Sequence, residues 1–155
     1  MEITITKAII DDAPEILALQ KSAYQSEALI YRDMTLPPLV QTLEELQSEF
    51  STAHVLKATF QGRIVGSVRA SLDGDICRIG RLIVSPDCQG MGIGTRLMAA
   101  IENAFCQAKK YSLFTGDKSH RNIALYQRLG YDRSDTQRIS NSLTLVFMEK
   151  HTDGI

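Results

Sequence analysis

No stretch of this 155-residue sequence is apolar for long enough to cross a bilayer. Charge of one sign is missing too: 17 Lys and Arg face 18 Asp and Glu. Without a basic block, neither nucleic acid nor an anionic membrane is expected as a partner. Cysteine is sparse. Cys77, Cys88 and Cys106 are odd in number and form no C-x-x-C pair, so reduced thiols are expected. His54, His120 and His151 are scattered without ligand spacing, and no metal is assigned. The opening residues, Met1-Glu2-Ile3-Thr4-Ile5, lack the basic head and apolar middle of a signal peptide. A cytoplasmic location is therefore the expectation. No internal repeat or low-complexity segment occurs. What remains is one ordinary globular domain, 44% hydrophobic and long enough for a sizeable core.

The stretch from Leu82 to Ala100, LIVSPDCQGMGIGTRLMAA, organises the rest. Leu82-Ile83-Val84 reads as the end of a buried strand, stopped at Ser85-Pro86-Asp87 because proline cannot donate to a ladder. Gln89-Gly90-Met91-Gly92-Ile93-Gly94 follows, with glycine at alternate positions. Ile93, Leu97, Ile101, Ala104 and Phe105 then recur three or four apart, the inward stripe of a helix. A strand thus feeds a glycine-rich turn that opens a helix. Free N–H groups and the positive end of the dipole at a helix start suit an anion, and glycine removes the side chains that would hold a phosphate away. An NTPase phosphate loop needs a Lys after its last glycine, where Thr95-Arg96 stands. A dinucleotide fingerprint needs G-x-G-x-x-G and an acidic residue near Lys109-Lys110. A third pattern, Q/R-x-x-G-x-G/A, is met at every fixed position.

Elsewhere the chain reads as strands and helices in alternation. Ile3 to Ala8 is a first strand. Asp11-Asp12-Ala13-Pro14 opens a helix continued by Ile16, Leu17, Leu19 and Ala23. Gln25 to Pro38 has no clear period and reads as a structured loop. Leu39, Leu43, Leu46 and Phe50 mark a second helix, with Thr42-x-x-Glu45 as a capping box. His54–Phe60, Arg63–Leu72 and Ile76–Val84 are strands of an antiparallel meander, turning at Gln61-Gly62 and Asp73-Gly74-Asp75. After the glycine-loop helix comes a strand at Tyr111–Thr115, which implies a right-handed crossover and a parallel pair. A short helix from Ser119 or His120 to Leu129 is capped by Gly130. Tyr131–Ile139 and Leu143–Glu149 are the final strands. Residues 1–149 make the domain, and 150–155 are expected to be a flexible tail.

The glycine motif, with the order β-α-α-β-β-β-α-β-α-β-β, resembles the GNAT superfamily of acyl-CoA-dependent N-acetyltransferases. A second stretch, Ser119 to Tyr131, looks like that superfamily's N-x-x-A-x-x-x-Y segment followed by L-G-Y. Its match is imperfect: counting back from Tyr126, the Asn position falls on Ser119 and the Ala position on Asn122. The resemblance implies an α/β fold, a mixed sheet that splays after the fourth strand. It implies acetyl-CoA as co-substrate and a small amine or peptide amine as acceptor. The pyrophosphate would lie on Gln89, Gly90, Met91, Gly92, Ile93, Gly94 and Thr95. Leu82 and Ile83 would pair with the pantetheine arm, the freed Val84 N–H would polarise the thioester carbonyl, and Asn122 and Tyr126, four apart on one helix face, would point into the cleft. Tyr126 would be the general acid toward the departing thiolate.

The resemblance also leaves positions unfilled. Many relatives carry a Glu on the fourth strand as base, but Ile76-Cys77-Arg78-Ile79-Gly80-Arg81 holds no carboxylate. Glu27, Asp75, Asp117 and a water chain stand as alternatives. Tyr24, Glu27 and Tyr31, in the family's variable segment, are the candidates for an acceptor pocket. Cys88 adjoins the loop and is either reactive or a small turn residue; Cys106 is expected to pack beside the helix stripe. A homodimer through the final strands is common among relatives. A CoA-binding sensor without turnover is the alternative reading of the whole.

Overall fold

A computed structural model describes residues 2–152. Seven strands form one sheet in the order β1-β2-β3-β4-β5-β7-β6. They are β1 (Thr4–Lys7), β2 (His54–Phe60), β3 (Arg63–Asp73), β4 (Ile76–Val84), β5 (Lys110–Gly116), β6 (Asp132–Arg138) and β7 (Thr144–His151). Every neighbouring pair is antiparallel except β4 and β5. The helices are α1 (Ala13–Ala23), α2 (Gln25–Tyr31), α3 (Pro37–Val40), α4 (Leu43–Glu49), α5 (Ile93–Ala104) and α6 (His120–Arg128).

The hairpin chemistry holds. Gln61 and Gly62 both take positive φ, 51° and 79°, as a two-residue turn between twisted strands demands. β3 is central, and its residues Ile64 to Ala70 are all buried. One side packs on α5, whose Ile93, Leu97 and Ile101 join Val65, Ala70, Cys77 and Ile79 in the larger core cluster. The other packs on α1 and α4, where Ile16, Leu19 and Leu46 meet Val55, Ile64 and Ile83. That second layer also encloses a polar knot. Arg69, 4% exposed, is held by Glu49 at 2.8 Å and reaches the side-chain oxygens of Gln20 and Gln41 at 3.3 and 3.1 Å. Arg69 is the buried half of this pair and Glu49 the half-exposed one, and removing the carboxylate would strand a buried charge, so the knot locks the helical layer to the sheet.

β4 and β5 stay together only at their starts, pairing Ile76, Cys77 and Arg78 with Lys110, Tyr111 and Ser112. Beyond Arg78 the strands part, and the sheet opens as expected. A bulge adds to the divergence: Ser67 and Arg69 of β3 face Ile83 and Gly80 of β4, so β4 carries one extra residue, and Arg81 there takes φ 53°.

Several expectations need correcting. The loop between Gln25 and Pro38 is largely helical, in α2 and the start of α3. Seven residues make only two turns, too few for a period to emerge. The single helix expected from Leu39 to Phe50 is broken at Gln41 and Thr42, because Thr42 takes the extended cap conformation and closes the box with Glu45. On α5, Ala104 is exposed while Met98 is fully buried. Cys106 lies beyond the helix and is exposed rather than packed. β7 continues through Lys150 and His151, paired with Tyr111 and Lys110, so the break expected after Glu149 comes two residues too early. Residues 153–155 of the expected tail lie outside the described residues. No helix among the described residues is long and apolar enough to cross a membrane.

Candidate active site

Where β4 leaves β5, the glycine loop begins. Ser85 donates its N–H to the Val65 carbonyl at 2.8 Å. Partners in an antiparallel ladder alternate between bonded and non-bonded. Val84, opposite Gly66, therefore turns its N–H and C=O away from β3, toward the space β5 has vacated. Pro86 to Cys88 make one 3-10 turn. Gly90 and Gly92 follow at φ 83° and 78°, and Gly92 caps α5 with no side chain closing the helix end. Among the described residues, no main-chain N–H from Gln89 to Thr95 has an acceptor, and Arg96 is the first to find one, at the Gly92 carbonyl. A run of unpaired amides at a helix start is a concave anion receptor.

The second motif is brought to the same place by close packing. A Cβ added to Gly94 would sit 3.4 Å from Leu125 and 3.9 Å from both Leu82 and Val84. The first turn of α5, the end of β4 and the inner face of α6 thus share one contact. Arg121 of α6 reaches across and donates to the Gln89 side-chain oxygen at 2.6 Å. A guanidinium beside the loop is a feature the sequence reading missed; its only signal was a basic residue in the first turn of a helix, which is commonplace.

Tyr126 is 6% exposed and stands edge-on to Tyr131 at 6.0 Å. Its hydroxyl has no hydrogen-bond partner among the described residues yet is not sealed off from solvent. Burial, and then the neighbouring Tyr24 and Glu27, push its phenol up, well above the ordinary range. It is thus a protonated donor with its hydrogen bond unspent. Asn122 sits one turn earlier, half-buried.

The variable segment closes the cleft. Tyr31 is buried, its hydroxyl 2.7 Å from the Ser119 hydroxyl and accepting from the Lys118 N–H at 3.0 Å. Ser119 in turn donates to Glu27 at 2.9 Å. A Cβ on Gly116 would fall 2.0 Å from the Tyr31 hydroxyl, so only glycine lets α2 dock there. Tyr31 is thereby a clamp between α2 and the β5–α6 turn, which leaves Tyr24 and Glu27 as the expected acceptor residues without that structural duty. Ser119, at the position the family pattern gives to Asn, joins both Tyr31 and Glu27. Burial also raises the Tyr24 phenol, against the influence of the Arg81 charge.

Of the alternative bases, Asp75 lies in the β3–β4 turn near Lys109, at the opposite end of β4 from Val84. Asp117 receives a long contact from the Thr144 N–H at 3.4 Å. Glu27 is the carboxylate beside Tyr24 and Tyr126. Cys88 is buried, and burial with the adjacent Asp87 raises its thiol, which disfavours the reactive thiolate. Among the described residues, no group of three His, Cys, Asp or Glu side chains is arranged to hold a metal ion. Two surface hollows, one around the β2–β3 turn and one beside the β3–β4 turn, include none of the cleft residues.

Comparison with known proteins bears on the family and the fold. Residues 20–152 match the family model described as an acetyltransferase (GNAT) domain. The UPF0157 protein YqkA of Bacillus subtilis (strain 168) is 27% identical over 135 residues, which make 86% of this chain and 38% of that protein. The uncharacterized N-acetyltransferase MJ1530 of Methanocaldococcus jannaschii is 31% identical over 77 residues, 48% of this chain and 49% of that one. The chain thus spans less than half the length of either curated relative. Among solved structures, the Paia N-acetyltransferase from Thermoplasma acidophilum, in complex with coenzyme A, has a TM-score of 0.85 at 18% identity, covering 97% of this chain and 99% of that one. The ribosomal-protein-S18-alanine N-acetyltransferase from Escherichia coli has a TM-score of 0.81 at 16% identity, covering 99% of both. At such identities the likeness speaks for the fold.

Proposed function

Because the chain belongs to the GNAT acetyltransferase family, we propose that it moves an acetyl group from acetyl-CoA to a primary amine of a small molecule or peptide, by direct attack in a ternary complex. The observation that carries this reading is the unbroken run of acceptor-free amides from Gln89 to Thr95 beside the strand gap. That run suits a pyrophosphate, with Arg121 adding positive charge at Gln89. The pantetheine arm fits the gap as an added strand along Leu82 and Ile83.

The remaining steps follow from the cleft residues. The Val84 N–H faces the gap and is the donor for the carbonyl oxygen as it gains negative charge. The amine must arrive neutral, and Glu27 is the carboxylate available to take its proton. The thiolate that leaves needs a proton back, and Tyr126 holds one that burial keeps in place at neutral pH. Asn122, one turn before Tyr126 on α6 and half-buried, would contact the cofactor.

Thiol release from acetyl-CoA, measured against a panel of polyamines, amino acids, aminoglycosides and peptides, tests the reading. Turnover with at least one amine is expected, together with shifts of the Gln89–Thr95 amide resonances on adding CoA. Shifts without turnover for any amine would favour a CoA-binding sensor, a reading that the carboxylate-free β4 keeps in play. Unmoved resonances would remove the cofactor site altogether.

A further inference from the structure

Arg81 is the polar residue the proposed reaction leaves unused, and its setting is unusual. It occupies the bulge of β4 at φ 53°, a left-handed conformation that a long side chain seldom adopts. The ladder places the bulge between Gly80 and Ile83, just before the Val84 amide. Its Nε is buried with no hydrogen-bond partner, the sole such side-chain atom among the described residues. No carboxylate among the described residues lies within ion-pair reach of its guanidinium, although the nearby Arg69 is matched by Glu49 at 2.8 Å. A half-buried cation with an orphaned donor is costly unless something of opposite charge comes to it.

Its neighbours say where that partner would sit. The ladder sets Gly80, next to Arg81, opposite Arg69, whose side chain reaches Gln20 of α1, and the Arg81 charge acts on both Arg69 and Tyr24. Tyr24 also feels Glu27, and Glu27 and Tyr24 both bear on Tyr126. Glu27 is not the missing partner, because no ion pair joins it to Arg81; the Ser119 hydroxyl donates to one of its oxygens at 2.9 Å and leaves the other open. The acceptor side of the cleft therefore presents one fixed anion and one unmatched cation flanking a pair of tyrosines.

We propose that Arg81 is a specificity-determining residue for an acceptor that carries a carboxylate near its amine, as a free amino acid does. The ammonium would approach Glu27, lose its proton there and attack, while the carboxylate takes the unpaired Arg81 donors. This rests on the acyltransferase reading above and adds the chemical class of the acceptor.

The test compares each common amino acid with its carboxamide as acceptor, at saturating acetyl-CoA, by thiol release. The free acid is expected to have a kcat/KM about 10- to 100-fold above that of its carboxamide, the span of one charge-assisted hydrogen bond. Arg81→Gln should abolish that preference by raising KM for the acid, with kcat changed far less, and Arg81→Lys should restore part of it. CoA affinity of each variant, measured by calorimetry, reports that the fold is intact. Carboxamides or simple amines that match the acids, or an Arg81→Gln variant that keeps the preference, would overturn the inference and leave the acyltransferase standing. Failure of every amine to release thiol would take both down.

Discussion

Replacing Tyr126 by Phe separates catalysis from folding more cleanly than any other single change in this cleft. The ring is 6% exposed and packs edge-on against Tyr131 at 6.0 Å, contacts that Phe keeps. The hydroxyl gives the protein no hydrogen bond among the described residues, so its loss forfeits none. That hydroxyl still reaches solvent, so its removal relieves no stranded donor either. Stability should therefore stay within about 1 kcal/mol of wild type in urea unfolding. Affinity for CoA should stay within about twofold, since the amides that would hold the pyrophosphate lie on another element. Turnover should fall by about 10²- to 10⁴-fold, the usual share of a general acid, which is about 2.7–5.4 kcal/mol of barrier at 1.36 per decade. Thiol release, calorimetry with CoA and urea melts on one preparation measure all three. A variant that turns over within about threefold of wild type would take Tyr126 out of the proton path. A parallel fall in turnover and stability would mean that its role is packing.

Three further outcomes are expected. Gly92→Val puts a β-branched residue at φ 78°, costing about 1–2 kcal/mol of stability, and its side chain enters the loop's open concavity; CoA affinity should drop at least about tenfold, and normal affinity by calorimetry would mean that the loop is misassigned. Gly116→Ala sets a Cβ 2.0 Å from the Tyr31 hydroxyl; overpacking plus loss of the Ser119 and Lys118 contacts should cost about 2–4 kcal/mol, read as a lower urea midpoint, with acceptor kcat/KM falling more than CoA affinity. An unchanged midpoint would show that α2 is not clamped there. In alkali, all five tyrosines are held above their ordinary value, chiefly by burial. The unfolded chain gives up these protons near pH 10 and the folded one does not, so stability is full below about pH 10 and is lost above it. Tyrosinate absorbance should rise together with loss of circular dichroism; its appearance in a still-folded protein would contradict the burial argument.

Much of this architecture could be read from residue order because the relevant chemistry is local. A two-residue turn at Gln61-Gly62 needs only those residues. The glycine loop announces itself because the strand, the proline stop and the helix stripe lie within one window. The features that escaped are those decided by a distant partner. Arg81 is conspicuous only once β3 is laid against β4 and the register shows an extra residue. Arg69 looks like a solvated position in an alternating strand until Gln20 of α1, Glu49 of α4 and Gln41 of the link between α3 and α4 arrive. α2 is two turns long with no side-chain capping hydrogen bond, and it exists because Ala28 and Tyr31 find a surface to bury against.

The same contrast bears on how the site divides its labour. The proposed cofactor side would depend on main-chain groups: acceptor-free amides, a strand edge and a helix start, which many sequences can supply provided glycine stands at Gly90 and Gly92. The proposed acceptor side would depend on side chains assembled from the α1–α2 junction, α2, β4 and α6, held in register by the Gly116–Tyr31 contact and the Arg69 knot. A backbone site tolerates drift elsewhere in the chain, and a side-chain site does not. A change of acceptor should therefore be reachable by substitutions at Tyr24, Glu27 and Arg81 alone, with the loop from Gln89 to Thr95 untouched. A selection for a new amine whose winning changes fell mainly in the glycine loop would contradict that division.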